Sequence, residues 1–167
     1  NQGIPVDIML FKDQKYLSED YALPEIITKK TAKQGLNIAI FDRGIQRKET
    51  FIKLAKSKIF FISRLTCQKY ETVKTLPLEE KETETLKIIS DQVIKLKAEK
   101  EKTEAELRLI IGKNKQSKQR IFFLTNIFFL TALEIAELYK SRWEIETFFK
   151  FIKQELNFSH LLNRREN

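Results

Sequence analysis

The spacing of apolar positions predicts alternating strands and helices in the first 65 residues. Compact apolar runs of strand length alternate with segments that repeat at helical spacing. The predicted elements are, in order, a strand at 4–10, a helix from 18 or 20 to 34, a strand at 36–41, a helix at 47–57 and a strand at 58–64. This β-α-β-α-β order predicts a layered α/β core.

The middle of the chain has a different pattern, in which short alternating stretches lie between charged turns. Strands are predicted at 70–76, 86–90, 92–97, 106–111 and 121–125. The alternative is a charged helix over residues 95–109. We favour strands there because residues 107–111 alternate and Gly112 then interrupts the run. Residues 66–120 are therefore predicted to form a β-rich insertion between two core segments, 1–65 and 121–167.

A long amphipathic helix is predicted from Thr131 to about residue 156. Thr131 followed by Glu134 has the spacing of a capping box at a helix start. Four polar side chains of this helix fall within about 60° of one another at 100° per residue. They are Tyr139, Arg142, Glu146 and Lys153, beside an apolar arc made by Leu138, Ile145, Phe148, Phe149, Ile152 and Leu156.

This polar stripe places one carboxylate between cations, an arrangement that suits a metal ligand beside nucleic-acid phosphates. The alternative is a surface helix with ion pairs at i,i+3 and i,i+4 spacing, which is common. The spacing alone does not separate the two interpretations.

The charge of the chain indicates an acidic partner. The 31 Lys and Arg residues outnumber the 23 Asp and Glu residues, giving a net charge of +8. Nucleic acid is the first candidate and a membrane surface the second, although an AT-rich genome also produces Lys-rich composition. Cys67 is the single cysteine, which excludes a disulfide framework and fits a reducing cytoplasm. The longest apolar run, at 121–130, is too short to cross a bilayer.

Two motifs resemble a known family. The spacing Y-x2-R-x3-E-x6-K in the last helix is similar to the YREK signature of the insertion-sequence-four family of bacterial DDE transposases. Residues 38–44, IAIFDRG, resemble the strand that carries that family's second catalytic Asp, and residues 123–156 resemble its C-terminal core. The resemblance implies a ribonuclease-H-like core, a mixed sheet with flanking helices, with the β-rich insertion before the last helix.

The resemblance assigns catalysis and metal binding to Asp42 and Glu146. Asp42 follows a predicted core strand, and open α/β sheets bind ligands at the carboxyl ends of their strands. The implied cofactor is a pair of Mg²⁺ or Mn²⁺ ions, because phosphodiester chemistry with two metals requires several carboxylate ligands. The implied activity is DNA strand cleavage and strand transfer during transposition.

The resemblance also implies that DNA is the partner, both the transposon ends and the target. The implied DNA-binding residues are Tyr139, Arg142, Lys150 and Lys153. Each has a simpler alternative, since Tyr139 could pack in the core and the lysines could be solubilising charges. Residues 113–120 form a basic turn that suits DNA tracking or plain solvation. The resemblance further implies a homodimer in a synaptic complex and no contact with a membrane. It also implies a bacterial, nucleoid-associated location in the cytoplasm.

One departure from the family pattern concerns its first catalytic Asp. The chain begins at a segment that resembles the family's third strand, and Asp7, Asp13 and Asp20 lie too near Asp42 to be that residue. We therefore expect an internal fragment or a decayed copy that does not cleave DNA. The alternatives are a catalytically inactive DNA-binding remnant of a transposase and an unrelated basic oligomerisation or RNA-binding module.

Overall fold

The computed structural model describes residues 26–27, 37–66, 70–78 and 82–155; within the last helix it describes the side chains of residues 132–142, 147, 150 and 151. The described part contains six strands and two helices that we number here. The strands are β1 (Ile38–Phe41), β2 (Phe60–Leu65), β3 (Glu71–Thr75), β4 (Leu86–Ala98), β5 (Thr103–Asn114) and β6 (Arg120–Thr125). The helices are α1 (Lys48–Lys56) and α2 (Ala132–Glu155).

All six strands belong to one mixed sheet. Their order is β1-β2-β6-β5-β4-β3, with β1 and β2 parallel and the other neighbours antiparallel. The predicted α/β class is therefore confirmed. The strands of segment 66–120 extend this sheet, because β5 pairs with β6 and β6 pairs with β2. The division of the chain into a core and an insertion stays a prediction.

The two faces of the sheet are covered by different helices. On one face α1 buries Phe51, Ile52 and Leu54. There Phe51 stacks on Phe41 and Phe61, with ring centroids 6.2 and 5.6 Å apart. On the other face the buried residues of α2 pack in a cluster that includes Ile62, Ile110, Phe123, Ile135 and Tyr139.

The structure corrects the predicted break between two strands at Asp91. β4 runs without a gap from Leu86 to Ala98, with a register shift between Ile88 and Ser90. Asp91 lies inside the strand and is buried. Its burial is compensated because its carboxylate receives two hydrogen bonds from Arg108, at 2.6 and 2.9 Å. The charged-helix alternative for 95–109 is wrong, because these residues pair across β4 and β5.

The start of α2 has the predicted capping box. The Glu134 backbone N–H donates to the Thr131 hydroxyl at 3.2 Å, and the Thr131 backbone N–H donates to the Glu134 carboxylate at 2.7 Å. These bonds satisfy backbone donors that a helix start leaves open. They also hold the pKa of Glu134 below its ordinary value, the backbone N–H of Thr131 contributing most.

The first predicted strand, at 4–10, lies outside the described residues. Of the predicted helix at 18–34, the structure describes Ile26 and Ile27, which are helical. None of the helices within the described residues is long and apolar enough to cross a membrane.

Candidate nucleic-acid interface

Asp42 lies at the end of β1, as predicted. It begins the turn Asp42–Arg43–Gly44 and is exposed, and its Oδ1 accepts a hydrogen bond from the Gly44 N–H at 2.9 Å. The Ser63 hydroxyl donates to the backbone carbonyl of Asp42, which ties this turn to the neighbouring strand. The arrangement presents a carboxylate oxygen to solvent at the carboxyl edge of two parallel strands. A hard divalent cation prefers such an oxygen donor.

Arg64 lies on β2, one residue from the end of the strand, and is a site residue that sequence analysis missed. Its register partner on β6 is Phe123, which faces α2. The Nε atom of Arg64 is buried and has no hydrogen-bond partner among the described residues. Burial lowers the pKa of Arg64, and the nearby charges of Arg43 and Arg142 lower it further.

Tyr139 and Arg142 are brought together on α2, as the predicted stripe requires. Tyr139 is only 4% exposed, and its ring lies 5.3 Å from that of Phe123. The Arg142 guanidinium carbon lies 5.4 Å from the centre of the Tyr139 ring, which is cation–π geometry. Tyr139 therefore packs in the core and also supports Arg142. Contact between its hydroxyl and DNA stays a prediction.

Glu146 and Lys153 lie within α2, as predicted, but their side chains fall outside the described part of the chain. At 1.5 Å per residue, Glu146 follows Tyr139 by about 10 Å along the helix axis. Lys150 is exposed. The convergence of Asp42 with Glu146 and the DNA-binding roles of these residues therefore remain predictions. Among the described side chains, no three His, Cys, Asp or Glu residues are grouped to hold a metal ion.

A cleft of about 600 Å³ lies beside this region, between α2 and the turn that joins β5 to β6. Arg64, Phe123 and Tyr139 line one part of it, and Asn114, Gln119 and Lys140 line another. Its wall thus combines apolar rings with amide and cationic groups and with the carboxylates of Glu84 and Glu137.

The turn that forms the outer wall of the cleft is well ordered by its own hydrogen bonds. The Asn114 side-chain oxygen accepts from the backbone N–H groups of Gln116 and Ser117, at 2.9 and 2.8 Å. Lys113, Lys118 and Arg120 are exposed around it. The predicted basic turn therefore exists, and it lies at the mouth of the cleft.

Comparison with known proteins identifies relatives of the chain. Residues 12–167 match the family model of the transposase DDE domain. A protein classed as a transposase, y4zB of Sinorhizobium fredii, is 30% identical over 130 residues, which are 77% of this chain and 36% of that protein. A transposase assigned to the insertion sequence element IS5377 of Geobacillus stearothermophilus is 37% identical over 60 residues, 36% of this chain and 16% of that protein. The chain thus spans about a third or less of the length of these relatives.

Proposed function

Because the chain belongs to the transposase DDE domain family, we propose that it forms part of the catalytic region of an insertion-sequence transposase. Its partner would be DNA, at the transposon ends and at the target, and the reaction would be strand cleavage and strand transfer. The observation that carries this proposal is the exposed carboxylate of Asp42 at the end of β1, where ligands bind in open α/β sheets.

The architecture supports a ribonuclease-H-like core. β1 and β2 are parallel, β2 and β6 are antiparallel, and a helix packs on each face of the sheet. The insertion-sequence-four assignment rests on the YREK spacing, of which Tyr139 and Arg142 are already in contact. A homodimeric synaptic complex in the bacterial cytoplasm would follow from this assignment.

Asp42 and Glu146 would hold the divalent ions. The Asp42 carboxylate suits such an ion because it is an exposed oxygen donor. When bound, Mg²⁺ or Mn²⁺ would stabilise the attacking and leaving oxygens during displacement at the phosphodiester. Arg142, Lys150 and Lys153 would position the DNA by binding its phosphates.

Mn²⁺ binding, followed by electron paramagnetic resonance, tests this assignment. We expect Asp42→Asn and Glu146→Gln each to weaken binding at least about tenfold, because even loss of an outer-shell partner costs about 10–100-fold. Glu101→Gln, at an exposed carboxylate in the β4–β5 turn, is the matched control and should keep the parent affinity. Parent affinity in both site variants would contradict the proposed metal ligands.

Nicking of supercoiled DNA in Mn²⁺ separates an enzyme from an inactive remnant. We expect this chain not to nick, because no residue in it matches the family's first catalytic Asp. Nicking that is lost in Asp42→Asn and Glu146→Gln would contradict that expectation and support catalysis by this chain itself. DNA binding with no nicking, and with no effect of either variant on Mn²⁺ binding, would replace it with a DNA-binding remnant.

A further inference from the structure

Arg108, which is buried, and Arg64, which is half-buried, lie on the same face of the sheet but differ in their hydrogen bonds. Arg108 forms two hydrogen bonds to Asp91 and two to the backbone carbonyls of Ile127 and Leu130. Arg64 has a buried Nε with no hydrogen-bond partner. Leaving a buried donor unpaired destabilises the fold. The comparison shows that this fold can satisfy an arginine fully, yet it leaves Arg64 with an open donor.

The charged groups around Arg64 do not neutralise the positive charge of its guanidinium. Arg43 and Arg142 act on it as like charges and lower its pKa, whereas Tyr139 acts in the opposite direction. Glu84 and Glu137 line the same cleft, but neither forms an ion pair with Arg64 in the described structure. Among the described side chains no carboxylate pairs with Arg64, so its Nε–H is open to an anionic ligand.

The shape of the cleft limits what this anion can belong to. A volume of about 600 Å³ falls in the range of small-ligand sites. A cleft of this volume would hold a nucleotide or two of one strand. Asn114 and Gln119 offer amide groups along the wall. The exposed Lys118 and Arg120 are their sequence neighbours around the β5–β6 turn.

We propose that this cleft binds a single DNA strand and that Arg64, in its lining, holds one phosphate of that strand. The inference rests on the proposed function and deepens it, because Arg64 follows Ser63 on β2, whose hydroxyl bonds the backbone carbonyl of Asp42. Arginine suits this role, since its planar fork binds a phosphate through two parallel hydrogen bonds.

Fluorescence anisotropy with a short single-stranded DNA oligonucleotide, in EDTA, tests the proposal without the metal site. We expect Arg64→Gln to weaken binding at least about tenfold, as for loss of a charged hydrogen bond. The slope of log K against log[salt] should also fall by about 0.7, the value for one phosphate contact on a single strand. Lys100→Gln removes the same charge from the exposed β4–β5 turn and should change neither quantity beyond measurement error.

A stability measurement separates binding from a structural role. Arg64→Gln removes a half-buried charge that has no ion-pair partner among the described residues, so its melting temperature should equal or exceed that of the parent. A packing role predicts a lower one. Arg64→Lys is the second variant: it keeps the charge and loses the fork, so we expect the parent salt slope with weaker binding.

Three results would overturn the proposal. They are parent affinity and slope in Arg64→Gln, no binding of the oligonucleotide by the parent chain, and tighter binding of the matching RNA than of DNA. The Mn²⁺ experiment has a separate readout, because these titrations contain no free divalent metal. Failure of the Asp42 and Glu146 assignment is therefore distinguishable from failure of the strand site.

Discussion

The two faces of the sheet differ in what they bury. The face under α1 is closed by aromatic and aliphatic side chains, with the stacked rings of Phe41, Phe51 and Phe61 at its centre. The face under α2 also has an apolar cluster, but it buries the Asp91–Arg108 ion pair and the Nε of Arg64 as well. Among the described buried residues, charged side chains occur only on the α2 face.

The apolar α1 face therefore serves the stability of the fold, whereas the α2 face also holds polar groups in defined positions. Apolar packing is non-directional and needs only shape and volume. Buried charges need defined partners, and Arg108 has them in both a carboxylate and the loop that leads into α2. The face that carries the motif helix is thus the one where polar groups are held in place. We expect changes on the α1 face to affect stability alone, and changes on the α2 face to affect stability and binding separately.

The largest effect is expected from breaking the buried ion pair. Arg108→Met leaves Asp91 buried and unpaired, and breaking such a pair costs about 3–5 kcal/mol. Guanidinium unfolding, followed by circular dichroism, measures this loss. The exposed pair of Lys97 and Glu71 on the same sheet gives the control, since Lys97→Met should change the midpoint little.

A double variant sharpens this prediction. Asp91→Leu combined with Arg108→Met removes both charges, so it should recover much of the stability that Arg108→Met loses. A double variant no more stable than the single one would show that the bonds from Arg108 to the carbonyls of Ile127 and Leu130 dominate.

An intermediate effect is expected on the α1 face. Phe61→Leu replaces a fully buried ring in the aromatic stack with a smaller side chain. It should lower the free energy of unfolding by about 1–2 kcal/mol, measured by denaturant unfolding. The salt slope for DNA should stay at the parent value. Phe128→Leu, at a ring that is 51% exposed, is the matched control and should leave stability unchanged within error. If folded Phe61→Leu changed the slope of log K against log[salt] for DNA, the α1 face would also affect binding, which would contradict the expected difference between the two faces.

The smallest effect concerns the start of α2 and depends on pH. The pKa of Glu134 is lower in the fold, chiefly through the Thr131 backbone N–H. Its charge therefore stabilises the fold above the ordinary glutamate pKa, and this stabilisation is lost as the pH falls through the lowered value. Glu134→Gln keeps a capping-box side chain without the charge.

Thermal unfolding at several pH values checks this last prediction. Parent and Glu134→Gln should differ most at neutral pH, and the difference should shrink as the pH falls through the lowered pKa of Glu134. Glu101→Gln, in the exposed β4–β5 turn, serves as the control. A difference that grows as the pH falls would contradict the sign.

Local patterns in the sequence predicted most of the elements that the structure describes. Period-two alternation identified β4 and β5, and the Thr131–Glu134 spacing identified the start of α2, because both signals are contained within a few residues. The extension of the core sheet by the strands of 66–120 was not predicted, since alternation does not specify which strands pair.

The candidate site was predictable only where a motif marked it. Asp42 ends a strand and Tyr139 and Arg142 lie in a spaced motif, so each was proposed from the sequence. Arg64 was missed because it stands at the end of the predicted strand 58–64, where a single charged residue usually marks only the end of the strand. Asp91 was taken for a break between strands because its partner, Arg108, lies 17 residues away.

The position of β6 in the sheet has a consequence for how the chain folds. β6 pairs with β2 across a wide separation, and the Thr125 hydroxyl bonds the Phe61 carbonyl from 64 residues away. The β4–β5 hairpin, in contrast, closes through a short turn. Because loop closure over a long segment is entropically costly, a hairpin that forms first shortens the disordered segment between β2 and β6. Formation of the β4–β5 hairpin would then lower the entropic cost of pairing β6 with β2, and through β2 of joining the parallel strand pair to the rest of the sheet.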